Sequence, residues 1–337
     1  MGRAVSLGVA IVGCGLIGRK RAAALTRGHV VVCADVDIAR ARQLAAAYPD
    51  AEAIDSWEQA VSRSDVDIVI VATTNDALTP VARGALDAGK HVLVEKPAGR
   101  TAAEVTLLRE AASRADRRVR VGFNHRYHPA MRKARELVDG GALGPLMFMR
   151  ARYGHGGRLG YEQEWRAQPA ISGGGELIDQ GVHVIDLARS FLGNFTSVEG
   201  VATNFFWKMP VDDNAFMTLG TASGQIAFLH VSCTEWKNMF SMEIYGRDGK
   251  LAIDGLGGSY GMERLVWYRM LPAMGPPETT TWEFPGADES WSVEFEEFVE
   301  DILLEREPAA GLADAHAALT VVEAIYQRSG YDFSTNT

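Results

Sequence analysis

From residue 5 to about residue 123, short β-branched and aliphatic runs alternate with stretches whose apolar residues recur at helical spacing. The runs at 7–12, 30–34, 68–72, 91–94 and 119–122 predict strands, and the stretches at 16–27, 38–47, 78–88 and 102–115 predict helices. This alternation predicts a mostly parallel sheet covered by helices. Thr101, with Glu104 three residues on, has the spacing of a capping box.

After Tyr127 the pattern changes. A helix is predicted at 130–138, stopped by Gly140 and Gly141, and a strand at 146–153. Residues 154–175 mix glycine, polar groups and aromatics over a length unusual for a plain connector, which predicts a binding loop. A helix is predicted at 176–192, with Leu177, Val184, Leu187 and Ala188 as its packing positions. The β-like runs at 197–207, 215–219, 225–231, 240–246 and 250–253 are separated by turn sequences at 220–224 and 246–249, favouring antiparallel hairpins. Residues 270–280 read as a proline-rich loop, and 291–304 and 312–329 as closing helices before a polar tail. The division is therefore a first domain over 1–124 and a second over 125–337, with the final helix packing back on the first.

Composition narrows the class. The 337 residues suffice for two separate cores, and 47% hydrophobic content with charges of both signs reads as a globular protein. No apolar run approaches a membrane span, and the chain enters its first strand almost at once, so no signal peptide, no membrane partner and a cytoplasmic location are expected. With 34 Lys and Arg against 43 Asp and Glu the net charge is -9, which disfavours nucleic acid as a partner. Cys14, Cys33 and Cys233 and the eight histidines lack metal-ligand spacing, so no metal is expected.

The first chemical signal is Gly13-Cys14-Gly15-Leu16-Ile17-Gly18, directly after an apolar run. A strand, a tight glycine turn and a helix N-terminus would gather backbone N–H groups at one point, suited to a pyrophosphate. The next strand ends at Asp35, whose carboxylate can accept hydrogen bonds from ribose hydroxyls; a 2′-phosphate would face that negative charge, so NAD is expected over NADP. The fold class is thus α/β, a Rossmann dinucleotide-binding domain followed by an α+β domain on a large, mostly antiparallel sheet. Thr73, Thr74 and Asn75 follow another buried strand, where they either line the cofactor cleft or cap a strand-to-helix turn.

Two further elements carry chemistry. In Glu95-Lys96-Pro97, the Lys96 ammonium at a strand mouth can orient a hydroxyl or stabilise charge developing on an oxygen. Glu95 is expected to orient Lys96 or meet the nicotinamide side, and Pro97 to fix the turn. In Gly173-Gly174-Gly175-Glu176-Leu177-Ile178-Asp179-Gln180-Gly181-Val182-His183, Asp179 and His183 are four apart and so share a helix face, behind glycines expected to let backbone approach a cleft.

Together these elements resemble the glucose–fructose oxidoreductase, inositol dehydrogenase and rhizopine-catabolism oxidoreductase family. The resemblance runs from the glycine turn and Asp35, through 73–75, 95–97 and 173–186, into the C-terminal sheet. It implies a cis peptide before Pro97, a substrate-facing loop at Asn124-His125-Arg126-Tyr127-His128-Pro129, and a homodimer or homotetramer. The chain departs from the family at Leu78, where relatives often carry a histidine, so one polar contact is absent.

On this footing His183 is the expected acid–base residue, Lys96 its electrostatic partner, and Asp179 the group that orients the substrate or His183. Arg126, Tyr127, Tyr153, Trp165 and Arg166 are expected to contact the substrate, since aromatics flanked by polar groups can stack on a sugar face and bond its rim. The expected activity is NAD-dependent hydride transfer at a secondary hydroxyl or ketone of a sugar, amino sugar or cyclitol. Glu162, Glu164, Glu176, Asp179, Asp212 and Asp213 suggest an aminated sugar, such as an aminoglycoside. The alternatives are an NAD-retaining enzyme that oxidises C3 transiently and then eliminates, and a non-catalytic dinucleotide-sensing regulator.

Overall fold

The computed structural model describes residues 7–332, and the end of the polar tail lies outside them. The described chain forms two compact units: one runs to Phe123 and takes in Trp291–His316, the other comprises Asn124–Ser290 and the chain from Ala317 on.

In the first unit the order is β1 (Gly8–Val12), α1 (Leu16–Ala23), β2 (His29–Ala34), α2 (Ile38–Ala45), β3 (Glu52–Ile54), α3 (Trp57–Ser62), β4 (Ile68–Val71), α4 (Asn75–Asp87), β5 (His91–Val94), α5 (Ala102–Ala115) and β6 (Val119–Val121). The strands are parallel, in the order β3-β2-β1-β4-β5-β6. This is the doubly wound arrangement, with its switch point between β1 and β4. The Thr101 cap forms, its side chain accepting from the Glu104 N–H at 3.1 Å.

The second unit contains α6 (Pro129–Asp139), β7 (Leu146–Gly154), α7 (Pro169–Ser172), α8 (Val182–Leu192), β8 (Phe195–Thr203), β9 (Asn214–Thr221), β10 (Ile226–Ser232), β11 (Met239–Gly246), β12 (Gly249–Asp254), β13 (Glu263–Arg269) and β14 (Glu278–Phe284). Its eight strands lie in the order β14-β13-β12-β11-β7-β10-β9-β8, antiparallel except where β7 meets β10. Alternate residues of the central strands are buried, as a sheet with one covered face requires.

Four differences from the sequence pattern have physical causes. β3 and α3 were not foreseen because Glu52–Ile54 is too short to show alternation and is held by pairing with β2. β14 occupies part of the expected loop, its three threonines stabilised by pairing with β13. Leu177–Gly181 is a π turn instead of regular helix, followed by α8. The later segment in the first unit is α9 (Ser290–Leu303) and the start of α10 (Leu312–Arg328), not the final helix as a whole.

α9 belongs there for a reason of charge as well as packing. Phe295, Phe298 and Val299 join the core around Val9, Ile11 and Ile70, and the buried Arg21 guanidinium is bound by both Glu95 and Glu294. A buried cation needs such partners, because losing its hydration is costly.

His91 shows the opposite solution. Burial, reinforced by the charges of Arg117 and Arg118, lowers its pKa to about 4, and its Nδ1 accepts the Arg118 N–H at 3.1 Å. A ring with a depressed pKa contributes stability that is present above its unfolded value of 6.5 and lost as pH falls toward 4. Between pH 6.5 and 4, wild type should therefore lose more stability than His91→Gln in urea unfolding, by at most about 1.4 kcal/mol per pH unit and by less for a partly exposed ring. Parallel losses would show that the ring is not held neutral.

Candidate functional site

In the first unit the sheet brings the expected cofactor residues to one edge. Gly13, Gly15, Leu16, Ile17 and Gly18 follow β1, Asp35 follows β2, Thr73 and Thr74 follow β4 with Asn75 opening α4, and Glu95, Lys96 and Pro97 follow β5. Such carboxyl ends are where ligands bind in open α/β sheets.

The glycines have separate reasons. Gly13 has φ +90°, and a Cβ there would meet the Ala72 carbonyl oxygen at 2.4 Å. A Cβ at Gly18 would meet the Gly13 oxygen at 1.9 Å, so the helix seats against the turn only without one. A Cβ at Gly15 would meet nothing within 4 Å, so the protein itself does not require glycine there. Open space above the N-terminus of α1 fits a group that needs close backbone approach, as a pyrophosphate does.

The Asp35 carboxylate is built into the same turn. Its Oδ2 accepts the Cys14 N–H at 2.7 Å and its Oδ1 the Asp37 N–H at 2.9 Å. A carboxylate oxygen can accept more than one hydrogen bond, so ribose hydroxyls can be added to these. Arg40, five residues beyond Asp35, is paired with Asp37 at 3.4 Å.

The Lys96–Pro97 peptide is cis. Glu95 differs from expectation: its carboxylate is engaged by Arg21, and a Cβ on Gly122 would strike both partners, so its side chain belongs to the interior ion pair. α4 starts at Asn75, three residues before the expected helix, because the polar segment itself forms the first turn. Leu78 is fully buried there.

In the second unit the glycine triplet has a different use from the one expected. A Cβ on Gly175 would meet the Asp212 carbonyl oxygen at 2.0 Å, and one on Gly174 would meet the Tyr326 Oη at 2.2 Å. The close approach is thus to the protein's own groups. Asp212 accepts the N–H groups of Gly175 at 2.9 Å and Leu177 at 2.8 Å, and the Tyr326 hydroxyl at 2.7 Å. Burial raises the Asp212 pKa to about 6 despite these donors.

The turn so anchored carries Glu176 and Asp179 and leads into α8, which carries His183, and all three are buried. The Arg166 Nε donates to the Asp179 Oδ2 at 3.0 Å, and the Arg166 guanidinium also stacks on Trp165 at 4.6 Å. Glu176 faces His155 at 3.6 Å. Burial opposes charge on His155, but the Glu176 and Asp179 carboxylates outweigh it and raise its pKa. Burial first, then the same two carboxylates, push the Tyr161 hydroxyl above its usual range. His183 lies face to face with His125, ring centroids 3.8 Å apart, and Tyr153 stands at 6.3 Å from it. Tyr260, at 5.0 Å from Tyr153, completes the aromatic wall and carried no signal in the sequence.

Other expected substrate contacts are used differently. Arg126 forms a two-point pair with the buried Asp186, donating from Nε at 2.7 Å, and Tyr127 is buried in the turn that carries it. Asp213 is fully buried and accepts the N–H groups of Phe205, Phe206 and Trp207. With Asp212 engaged by two backbone N–H groups and the Tyr326 hydroxyl, Glu164 paired to Arg158, and Asp179 paired to Arg166, these carboxylates do not by themselves indicate a cationic substrate. Among the described residues, no group of three or more His, Cys, Asp or Glu is placed to hold a metal ion, and no helix is long and apolar enough to cross a membrane.

Comparison with known proteins agrees with this architecture. Residues 7–123 match the model for the oxidoreductase family, NAD-binding Rossmann fold, and residues 131–252 match the GFO/IDH/MocA C-terminal domain. The chain is 32% identical over 243 residues to a 1,5-anhydro-D-fructose reductase from Ensifer adhaerens, covering 70% of each. It is 32% identical over 170 residues to a levoglucosan dehydrogenase from Pseudarthrobacter phenanthrenivorans, covering 50% of this chain and less than half, 44%, of that enzyme's length. The solved structure of GenD2 from gentamicin A biosynthesis, in complex with NAD, superposes with a TM-score of 0.83 at 26% identity, covering 98% of this chain and 96% of that one. The first unit is an NAD-binding Rossmann unit, and NAD is its cofactor.

The turn geometry separates two glycine substitutions. Gly15→Ala should fold normally and lose at least about tenfold in NAD affinity by fluorescence titration, because the methyl enters only the open space. Gly18→Ala should lose about 2 kcal/mol or more in urea unfolding, because its methyl overlaps backbone. Wild-type NAD affinity in Gly15→Ala would remove the pyrophosphate from this turn.

Proposed function

The chain belongs to the Gfo/Idh/MocA oxidoreductase family, and from that premise we propose an NAD-dependent oxidoreductase acting on a secondary hydroxyl or ketone of a sugar, amino sugar or cyclitol. The observation that carries the reading is the gathering of the glycine turn, Asp35 and Lys96 at one edge of the Rossmann sheet. The 1,5-anhydro-D-fructose reductase and levoglucosan dehydrogenase among the relatives support a carbohydrate substrate.

When bound, NAD supplies the acceptor of hydride in oxidation and its source in reduction. Gly13, Gly15, Leu16, Ile17 and Gly18 would hold its pyrophosphate and Asp35 its ribose hydroxyls, and Thr73, Thr74, Asn75, Lys96 and Pro97, at the same carboxyl ends of the sheet, would complete the cofactor site. The Lys96 ammonium orients the substrate hydroxyl and stabilises negative charge developing on that oxygen. A ring nitrogen of His183 takes the hydroxyl proton as the carbinol C–H bond breaks, and returns it to the carbonyl oxygen in reduction. Asp179, held by Arg166, positions the substrate near His183; Tyr153 and Trp165 contribute apolar surface for a sugar face.

We further propose that the protein works as a homodimer or homotetramer. The eight-stranded sheet exposes Val201 on β8 and Ile226 and Phe228 on β10, the two strands that flank β9, an apolar surface suited to a second copy. Light scattering should give twice or four times the monomer mass, and monomer alone at working concentration would refute this.

The activity is tested by incubating purified protein and NAD with neutral sugars, amino sugars and cyclitols while following NADH and identifying the oxidised carbon. Lys96→Ala and His183→Ala should each lower kcat by about 10²-fold or more with NAD binding retained. Near-normal turnover in either folded variant would overturn its role. An unsaturated product without net NADH would support transient oxidation and elimination, and NAD binding without turnover across the panel would support the regulator.

A further inference from the structure

His125 belongs to no part of the reaction just described, yet its ring covers His183 at a centroid distance of 3.8 Å with 21° between planes. Its own tautomer can be read from the hydrogen bonds behind it. The Ser290 hydroxyl donates to the Asp288 Oδ1 at 2.6 Å, and a hydroxyl has only one proton. Ser290 Oγ is therefore the acceptor for the Asn124 Nδ2, 2.9 Å away. That orients the Asn124 amide, leaving its Oδ1 toward the His125 Nδ1 at 3.2 Å. An amide oxygen cannot donate, so Nδ1 of His125 must carry the proton. Asn124, His125 and Ser290 are all buried, so water does not readily replace these partners.

The surroundings restrict charge on the pair. Two imidazolium rings in face contact repel, so the charge His183 takes up in catalysis requires a neutral His125. His125 also meets His128 edge-on at 5.7 Å, with Tyr153 at 5.1 Å and Phe240 at 6.4 Å. His128 has acidic partners of its own, Glu263 at 3.2 Å and Asp288 at 3.9 Å.

We propose that His125 is a positioning residue for His183: the Asp288, Ser290 and Asn124 chain fixes a proton on its Nδ1, the face contact keeps it neutral while His183 takes up charge, and its ring face holds the His183 imidazole in one plane. This rests on the reading of His183 as the acid–base group, and it adds to that reading the residue that orients it. The substrate and cofactor do not touch His125 in this scheme; its effect passes through His183.

The test combines NMR of the histidine ring nitrogens with kinetics on the full-length protein. In wild type at neutral pH, His125 should show the Nδ1–H form, and Ser290→Ala should yield a mixture of tautomers because the Asn124 amide is no longer oriented. His125→Ala should broaden or split the His183 ring signals and lower kcat about tenfold to a hundredfold, with NAD affinity unchanged. His125→Phe, which keeps a flat ring, should recover most of that loss. An Nε2–H or charged His125 in wild type, wild-type kcat in His125→Ala, or His125→Phe as slow as His125→Ala would each overturn the proposal. Normal turnover in His183→Ala would instead defeat the acid–base reading, while the ring-nitrogen spectra, which need no substrate, would still decide whether His125 is fixed and orders its neighbour.

Discussion

A carboxylate that captures backbone N–H groups at a glycine turn is the interaction on which both units depend. Asp35 holds the Cys14 N–H beside the nucleotide turn, and Asp212 holds the Gly175 and Leu177 N–H groups at the entry to the π turn. The N–H groups at a helix start lack partners within the helix, so an anion there satisfies them and interacts favourably with the helix dipole. Glycine lets backbone pack closely in both turns, Gly13 against Ala72 and Gly18 against Gly13 in the first unit and Gly175 against Asp212 itself in the second. The functional side chains follow from these fixed points, because a turn held by several hydrogen bonds presents its neighbours in one arrangement.

Around His183 the charges are matched locally. Asp179 has Arg166, Glu176 has His155, and Asp186 has Arg126. Buried carboxylates without partners would carry a large desolvation penalty, so these pairings are conditions of folding as much as features of a site. They also explain why an overall charge of -9 is a poor guide to what a pocket binds. Glu164, Glu176, Asp179, Asp212 and Asp213 are engaged by ion pairs or backbone donors, and little of their charge is left to select a cation.

The Rossmann half was largely legible in the sequence. Its strands are β-branched runs, its turn needs glycine at fixed spacing, and Asp35 stands at a strand end, all of which are local consequences of geometry. Short elements such as β3 escaped because three residues cannot display a period, and β14 escaped because its strand character comes from pairing with β13. The second half was legible as hairpins, but its strand order, with parallel β7 and β10 at the centre, depends on long-range pairing.

By itself the sequence determined the class of the fold, the nucleotide turn, the preference for NAD and the candidates Lys96, Asp179 and His183, because each rests on residue types at short spacing. Tertiary structure decided which partners those candidates have. It turned Glu95 toward Arg21 and Arg126 toward Asp186, used the Gly174 and Gly175 approaches for Tyr326 and Asp212, and laid His125 on His183. The side chains in each of these pairs are far apart in the chain, and a charge or a ring finds its partner only through the packing of elements that no local pattern specifies.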